Sequence, residues 1–149
     1  MMQFQPDIVM FDRFGLAVAV IEVKALSSTG VGAAASYLRN LFTHGVAPSA
    51  RFALLITPDE GYLWSTPEAV LRHSTPSLTF PMRRIVQHYL PAESESIPVR
   101  DLVLESIVKQ WLSDLADGIE VDESVTRSLR ESGFLDAVRD GLVDARTPR

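Results

Sequence analysis

The chain of 149 residues has no cysteine, which removes disulfides and thiolate metal sites together. It has no uninterrupted apolar run approaching the roughly 18 residues a membrane helix needs, so a membrane span is not expected. No basic segment followed by an apolar stretch opens it, so secretion is not expected and a cytoplasmic protein is the simplest reading. The three histidines, His44, His73 and His88, have no spacing suited to zinc, and neither a glycine-rich phosphate loop nor a serine-nucleophile motif occurs. No internal repeat or low-complexity tract is present. With 46% hydrophobic and 22% charged residues, disorder is not expected either. One domain spanning 1–149 is the default for this length.

Positive charge is also scarce. The net charge is −5, whereas phosphate contacts by Lys and Arg supply most of the affinity of nucleic-acid binders. The deficit is local, because residues 1–100 carry eight Lys or Arg and eight Asp or Glu, while 101–149 carry six against eleven. The C-terminal third is therefore a poor nucleic-acid surface, and basic clusters remain upstream at Arg72-His73 and at Arg83-Arg84 with His88.

What is present reads as a small α/β domain. Asp7 to Phe11 is apolar and β-prone, Asp12-Arg13-Phe14-Gly15 is a turn, and Leu16 to Val23 is almost wholly apolar, which together predict a β-hairpin. Leu16, Val18 and Val20 fall on one face of the second strand and Ala17, Ala19, Ile21 and Val23 on the other, so this strand belongs in the middle of a sheet. Capping residues Ser27 to Gly30 precede a helical pattern from Val31 to Phe42, and Arg51 to Thr57 is a further buried strand. Strand, helix and strand in that order imply a right-handed parallel crossover. A short strand at Tyr62 to Trp64 follows the turn at Pro58 to Gly61. Helices are expected near 67–73, 82–89, 99–115, 123–132 and 134–142, with a loop between Pro76 and Pro81, a polar connector from Ala92 to Ile97, and Gly133 dividing the last two helices. The core is thus placed at about 6–64 and a helical region at about 65–149.

The hairpin holds the residues with chemistry. With Phe14 and Gly15 as the two central turn residues, opposed positions sum to 29 and Asp7 faces Glu22. Directly opposed strand residues have Cβ atoms roughly 4.5–5.5 Å apart, a gap that one divalent cation bridges with two carboxylate oxygens. Lys24 projects from the same face about 6.6 Å further along. Two carboxylates this close raise one another's pKa unless a cation lies between them. Magnesium prefers oxygen ligands and keeps several waters, and an adjacent lysine stabilises charge developing on a phosphate. The chemistry indicated is hydrolysis of a phosphodiester.

Pro6-Asp7, fourteen intervening residues and Glu22-Val23-Lys24 resemble the motif of the PD-(D/E)xK nuclease superfamily, in residue type, order and strand placement. The resemblance covers roughly residues 6–64. It implies a restriction-endonuclease-like fold, with a mixed central β-sheet flanked by helices and, here, a helical C-terminal region. It further implies a Mg²⁺-dependent DNA endonuclease, with Mn²⁺ able to substitute, in which Asp7, Glu22 and the Val23 carbonyl hold the metal and Lys24 is the catalytic lysine. Two departures stand out. Members of the family usually place a helix, often with another acid, before the first strand, whereas five residues precede Pro6 here; a C-terminal helix, a homodimer or a partner subunit would then cover the exposed sheet face, or the site would work with fewer ligands. Some branches also carry Gln and Tyr four apart on the helix after the lysine, and here Tyr37 is preceded at that distance by Ala33.

Tyr37, Asn40 and His44, with Arg39 beside them, form a polar stripe on the first expected helix, and Arg83, Arg84 and His88 another on a later one. Contact with DNA is one reading of each, and a solvated helix face the plainer one. Asp12 and Arg13 serve the turn, and Trp64 and Trp111 belong to the core. Two alternatives to an active nuclease remain. One is a catalytically incomplete member of the fold acting as a regulatory or protein-interaction module, and the other an unrelated α/β domain whose acidic C-terminal helices meet a protein partner.

Overall fold

A computed structural model of the protein describes residues 6–25, 50–65, 76–90 and 101–145. The helix expected over 31–42, with Tyr37 and Arg39, the short helix near 67–73 and the connector 92–97 lie outside the described residues. The described chain runs β1 (Ile8–Phe11), β2 (Ala17–Val23), β3 (Phe52–Ile56), β4 (Glu60–Trp64), β5 (Leu78–Pro81), α1 (Arg83–Tyr89), α2 (Asp101–Ala116), α3 (Glu123–Glu131), α4 (Phe134–Val138) and β6 (Leu142–Ala145). The strands form one six-stranded mixed sheet in the order β5-β4-β3-β2-β1-β6. β2 and β3 are parallel and every other neighbouring pair is antiparallel.

β2 does occupy the middle of the sheet, and its apolar run on both faces is the sequence's record of that position. One face packs against α1 to α4 through Ile8, Met10, Ala19, Ile21, Leu54, Ile56 and Leu63. α2 supplies the other half of that layer, because Leu104, Ile107, Val108, Trp111, Leu112 and Leu115 recur at helical spacing and are all buried. Leu102 and Val103, which belong to the same apolar pattern in sequence, are exposed. The opposite sheet face carries Val20, Ala53, Leu55, Tyr62 and Trp64, also buried, and with them Glu22.

The hairpin departs from the expected turn in two places that cancel. Asp12 N donates to the Leu16 carbonyl at 2.8 Å and Gly15 N to the Asp12 carbonyl at 3.0 Å, so three residues rather than two stand between the closing pair. Gly15 takes φ 86°, the left-handed conformation that a three-residue hairpin loop requires and glycine adopts without strain. Opposed positions near the turn therefore sum to 28, as in Phe11 opposite Ala17. A β-bulge between Met10 and Phe11 then restores 29, as in Met10 opposite Ala19 and Ile8 opposite Ile21. The extra residue is Val18, which joins the helix-facing core beside Ala19 and Ile21 instead of lying on the face of Val20.

The region expected to be helical from about 65 contributes two strands, which corrects that boundary. The segment expected as a loop between Pro76 and Pro81 is β5, a four-residue edge strand in which a terminal proline is tolerated. The last helix ends at Val138 rather than near 142. Asp140, at φ 59°, reverses the chain so that Leu142–Ala145 pairs with β1 as the other edge. Gly141 makes this approach feasible, since a Cβ there would collide with the backbone carbonyl of Phe11. Gly141→Ala is accordingly expected to lower stability by about 2–3 kcal/mol, measured by urea denaturation, and to increase amide exchange in β6 and β1 before the rest of the sheet.

Candidate metal and phosphodiester site

Glu22 lies at the carboxyl end of β2, beside the end of the parallel strand β3, where open α/β sheets commonly bind ligands. Lys24 N donates to the Ile56 carbonyl at 2.9 Å, which continues the parallel pairing one residue past the last ladder position of β2 and fixes the backbone beneath the lysine. Register alone sets Asp7 opposite Glu22, one place beyond Ile8 and Ile21.

Asp7 is not itself a ladder residue. It occupies a bend just before β1, and side chains join it to β2. Asp7 N donates to Glu22 Oε1 at 3.2 Å, and Val23 N donates to Asp7 Oδ2 at 2.8 Å. Each acid thus receives a backbone N–H from the other strand. Val23 adds a backbone oxygen to the group, because the N–H and C=O of a strand residue leave the chain on the same side. Its carbonyl therefore leaves β2 on the side of β1, opposite Pro6, which has no N–H to offer it.

Glu22 has no exposed surface, and among the described residues its buried Oε2 has no hydrogen-bond partner. Burial, then the neighbouring Asp7 carboxylate, pushes its pKa up to about 9, while the charge of Lys24 pulls in the other direction. A buried acid left half-satisfied costs stability. Strained sites of this kind concentrate where function requires them.

The structure thus brings Asp7, Glu22, the Val23 backbone and the charge of Lys24 together. It does not add Arg83 or Arg84 to that group. Arg83 binds Asp59 at 3.2 Å, and Met82 N donates to the Asp59 carbonyl at 3.0 Å, so the start of α1 is clamped to the β3–β4 turn. Arg84 is exposed and borders an open pocket that Asp122, Glu123 and Arg127 share. Both arginines stand in acidic company, which favours the plainer reading of that helix face.

Sequence reasoning passed over Tyr62. Glu22 aligns with Leu55 and Leu55 with Tyr62, which puts the phenol in the same cross-sheet row as the acid. Tyr62 is buried, and its pKa is raised by that burial and by Glu60. Only the registers of β3 with both neighbours reveal the alignment.

Among the described residues no group of three or more His, Asp or Glu side chains is placed to hold a metal, and no helix is long and apolar enough to cross a membrane. No family model, no curated protein and no solved structure matches the chain.

Proposed function

We propose that this chain is a metal-dependent phosphodiesterase of the restriction-endonuclease-like kind, acting on DNA through Asp7, Glu22 and Lys24. The observation that carries the reading is the buried Glu22 Oε2, without a hydrogen-bond partner among the described residues, on a side chain tied to Asp7 by reciprocal hydrogen bonds between the two strands. Such an arrangement lacks one positive partner. A divalent cation with a preference for oxygen fits it, held by the two carboxylates and the Val23 carbonyl, with waters completing the shell. When bound, Mg²⁺ or Mn²⁺ supplies a Lewis acid for the phosphate and lowers the pKa of a coordinated water.

The chain's own residues do the rest. Asp7 and Glu22 would hold the cation at the carboxyl end of β2, and the Val23 N–H orients Asp7. Lys24 provides a positive charge where negative charge develops on the phosphate oxygens. Burial of Glu22 keeps the surroundings of low polarity, so each of these interactions is stronger than it would be in water.

Titration calorimetry with Mn²⁺ and Mg²⁺ tests the metal site. The wild type is expected to bind one ion, with release of a proton at neutral pH because Glu22 must lose one to coordinate. Asp7→Ala and Glu22→Ala are each expected to weaken binding at least tenfold. If the wild type takes up no ion, the site does not exist. A second reading, an inactive nuclease-fold module, has its own support, since among the described residues no third acid or histidine stands with Asp7 and Glu22 to complete a metal site. Metal binding without plasmid cleavage would select it.

A further inference from the structure

The hairpin turn, the start of β3 and the end of α4 enclose an open groove of about 580 Å³, bordered by Arg13, Phe14, Leu16, Arg51, Asp136 and Arg139. It lies at the turn end of β1 and β2, about 20 Å along the strands from Asp7. Three arginines converge there from three separate segments, in a chain whose net charge is −5.

The acids around the groove are largely occupied. Asp12 Oδ1 accepts from Phe14 N at 2.9 Å and from Leu16 N at 3.0 Å, so it is committed to the turn. Asp136 pairs with Arg139 at 3.1 Å. Among the described residues Arg13 and Arg51 have no carboxylate partner. Each instead lies over an aromatic ring, Arg13 over Phe14 at 4.8 Å and Arg51 over Phe52 at 5.3 Å. A ring accepts no conventional hydrogen bond from a guanidinium, so the N–H donors of both remain available in the fork that matches phosphate oxygens.

The groove also carries apolar surface that such a turn does not need. Phe14 is 75% exposed and Leu16 62% exposed. An exposed ring beside forked cations is the combination on which single-stranded nucleic acids bind, with bases stacked and phosphates paired. A duplex would hide its bases from Phe14. We infer that the groove is a binding site for a single-stranded nucleic acid, in which Arg13, Arg51 and Arg139 take phosphates and Phe14 stacks on a base. The inference shares its ligand class with the function proposed above, but it uses neither the metal nor Asp7 and Glu22.

Fluorescence anisotropy of a labelled oligothymidylate of about a dozen nucleotides, in EDTA and at low salt, tests it. Binding is expected for the wild type and, unchanged, for Asp7→Ala, which separates this site from the metal site. Arg13→Glu with Arg51→Glu is expected to bind at least tenfold more weakly, with the slope of log affinity against log salt reduced by about 1.4. Phe14→Ala, at an exposed position that folding does not require, is expected to lose about tenfold and decides the matter if the double variant does not fold by circular dichroism. No binding by the wild type, unchanged binding by the Arg variants or by Phe14→Ala, or displacement by polyglutamate as effective as by unlabelled oligonucleotide would each overturn it. The last result would assign the groove to an acidic peptide.

Discussion

Glu22→Gln is expected to stabilise the metal-free protein at alkaline pH and to remove most of the pH dependence of its stability. The carboxyl pKa is raised from 4.5 to about 9 in the folded chain, first by burial and then by the neighbouring Asp7. Between those values the folded protein keeps a proton that the unfolded chain has lost. Folding takes up that proton, so stability is fully present below about pH 4.5, falls as pH rises through the window and is lowest above pH 9. At about 1.4 kcal/mol per pH unit, the loss between pH 5 and 8 is at most about 4 kcal/mol. Glutamine has the same shape, accepts the Asp7 N–H as Glu22 Oε1 does at 3.2 Å, and offers an N–H to the Asp7 carboxylate without ever needing a proton. Urea denaturation in EDTA at a series of pH values measures the slope directly. The wild type should lose stability across the series and the variant should not; equal slopes would show that Glu22 is not the buried acid described here. Saturating Mn²⁺ is expected to stabilise the wild type at alkaline pH and to leave Glu22→Gln almost unchanged, since a cation bound to folded protein adds stability only where its ligands are intact.

Much of this hairpin was legible because its strands are buried. A one-residue slip would have moved every side chain to the other face, and because β2 is apolar on both faces the facing of Asp7 and Glu22 rested on the turn assigned at Phe14-Gly15. The route was partly mistaken. The turn holds three residues, not two, and only the bulge that doubles Ala17 and Val18 opposite Phe11 returns the strands to the expected register. Neither turn length nor bulge leaves a trace in a strand that is apolar on both faces, and the expected register returns because the two departures cancel. The reciprocal hydrogen bonds between Asp7, Glu22 and Val23 were not legible either, because they depend on the bend at Asp7 and on side-chain rotamers.

The two edge strands were missed for a different reason. Leu78 to Pro81 and Leu142 to Ala145 are each four residues long, too short for a period of two to stand out from chance. The proline at the end of the first argues locally against a strand, and the acid within the second suits a helix surface equally well. Tertiary pairing with β4 and β1 decides both. The arginine groove did leave a trace, since Arg-Phe occurs at 13–14 and again at 51–52. Only the fold shows that the two pairs meet, because β1 and β3 lie on either side of β2.

Lys24→Met is expected to lower DNA cleavage about a thousandfold while leaving Mn²⁺ binding within a few-fold of the wild type. The asymmetry follows from what the lysine does. It lies one pleat beyond Glu22, and its charge acts on that carboxyl, yet an ammonium is not a metal ligand. Removing a single group that stabilises charge only in the transition state typically costs about 10²–10³ in rate. Methionine keeps the length and apolar stem, so the end of β2 and the bond from the residue 24 N–H to Ile56 should survive. Lys24→Arg is not expected to rescue cleavage, because a planar fork does not reproduce a compact point charge. Loss of the lysine also removes the nearby charge that favours ionised Glu22, leaving only the Asp7 N–H to do so, so residual Mn²⁺ binding should require a higher pH than in the wild type. Plasmid nicking measured beside calorimetry, with Asp7→Ala as the control for contaminating nuclease, separates the outcomes. Cleavage by Lys24→Met at the wild-type rate would remove the lysine from the mechanism while sparing the metal site. Loss of ion binding together with cleavage would place Lys24 among the groups that build the site rather than those that act on the phosphate.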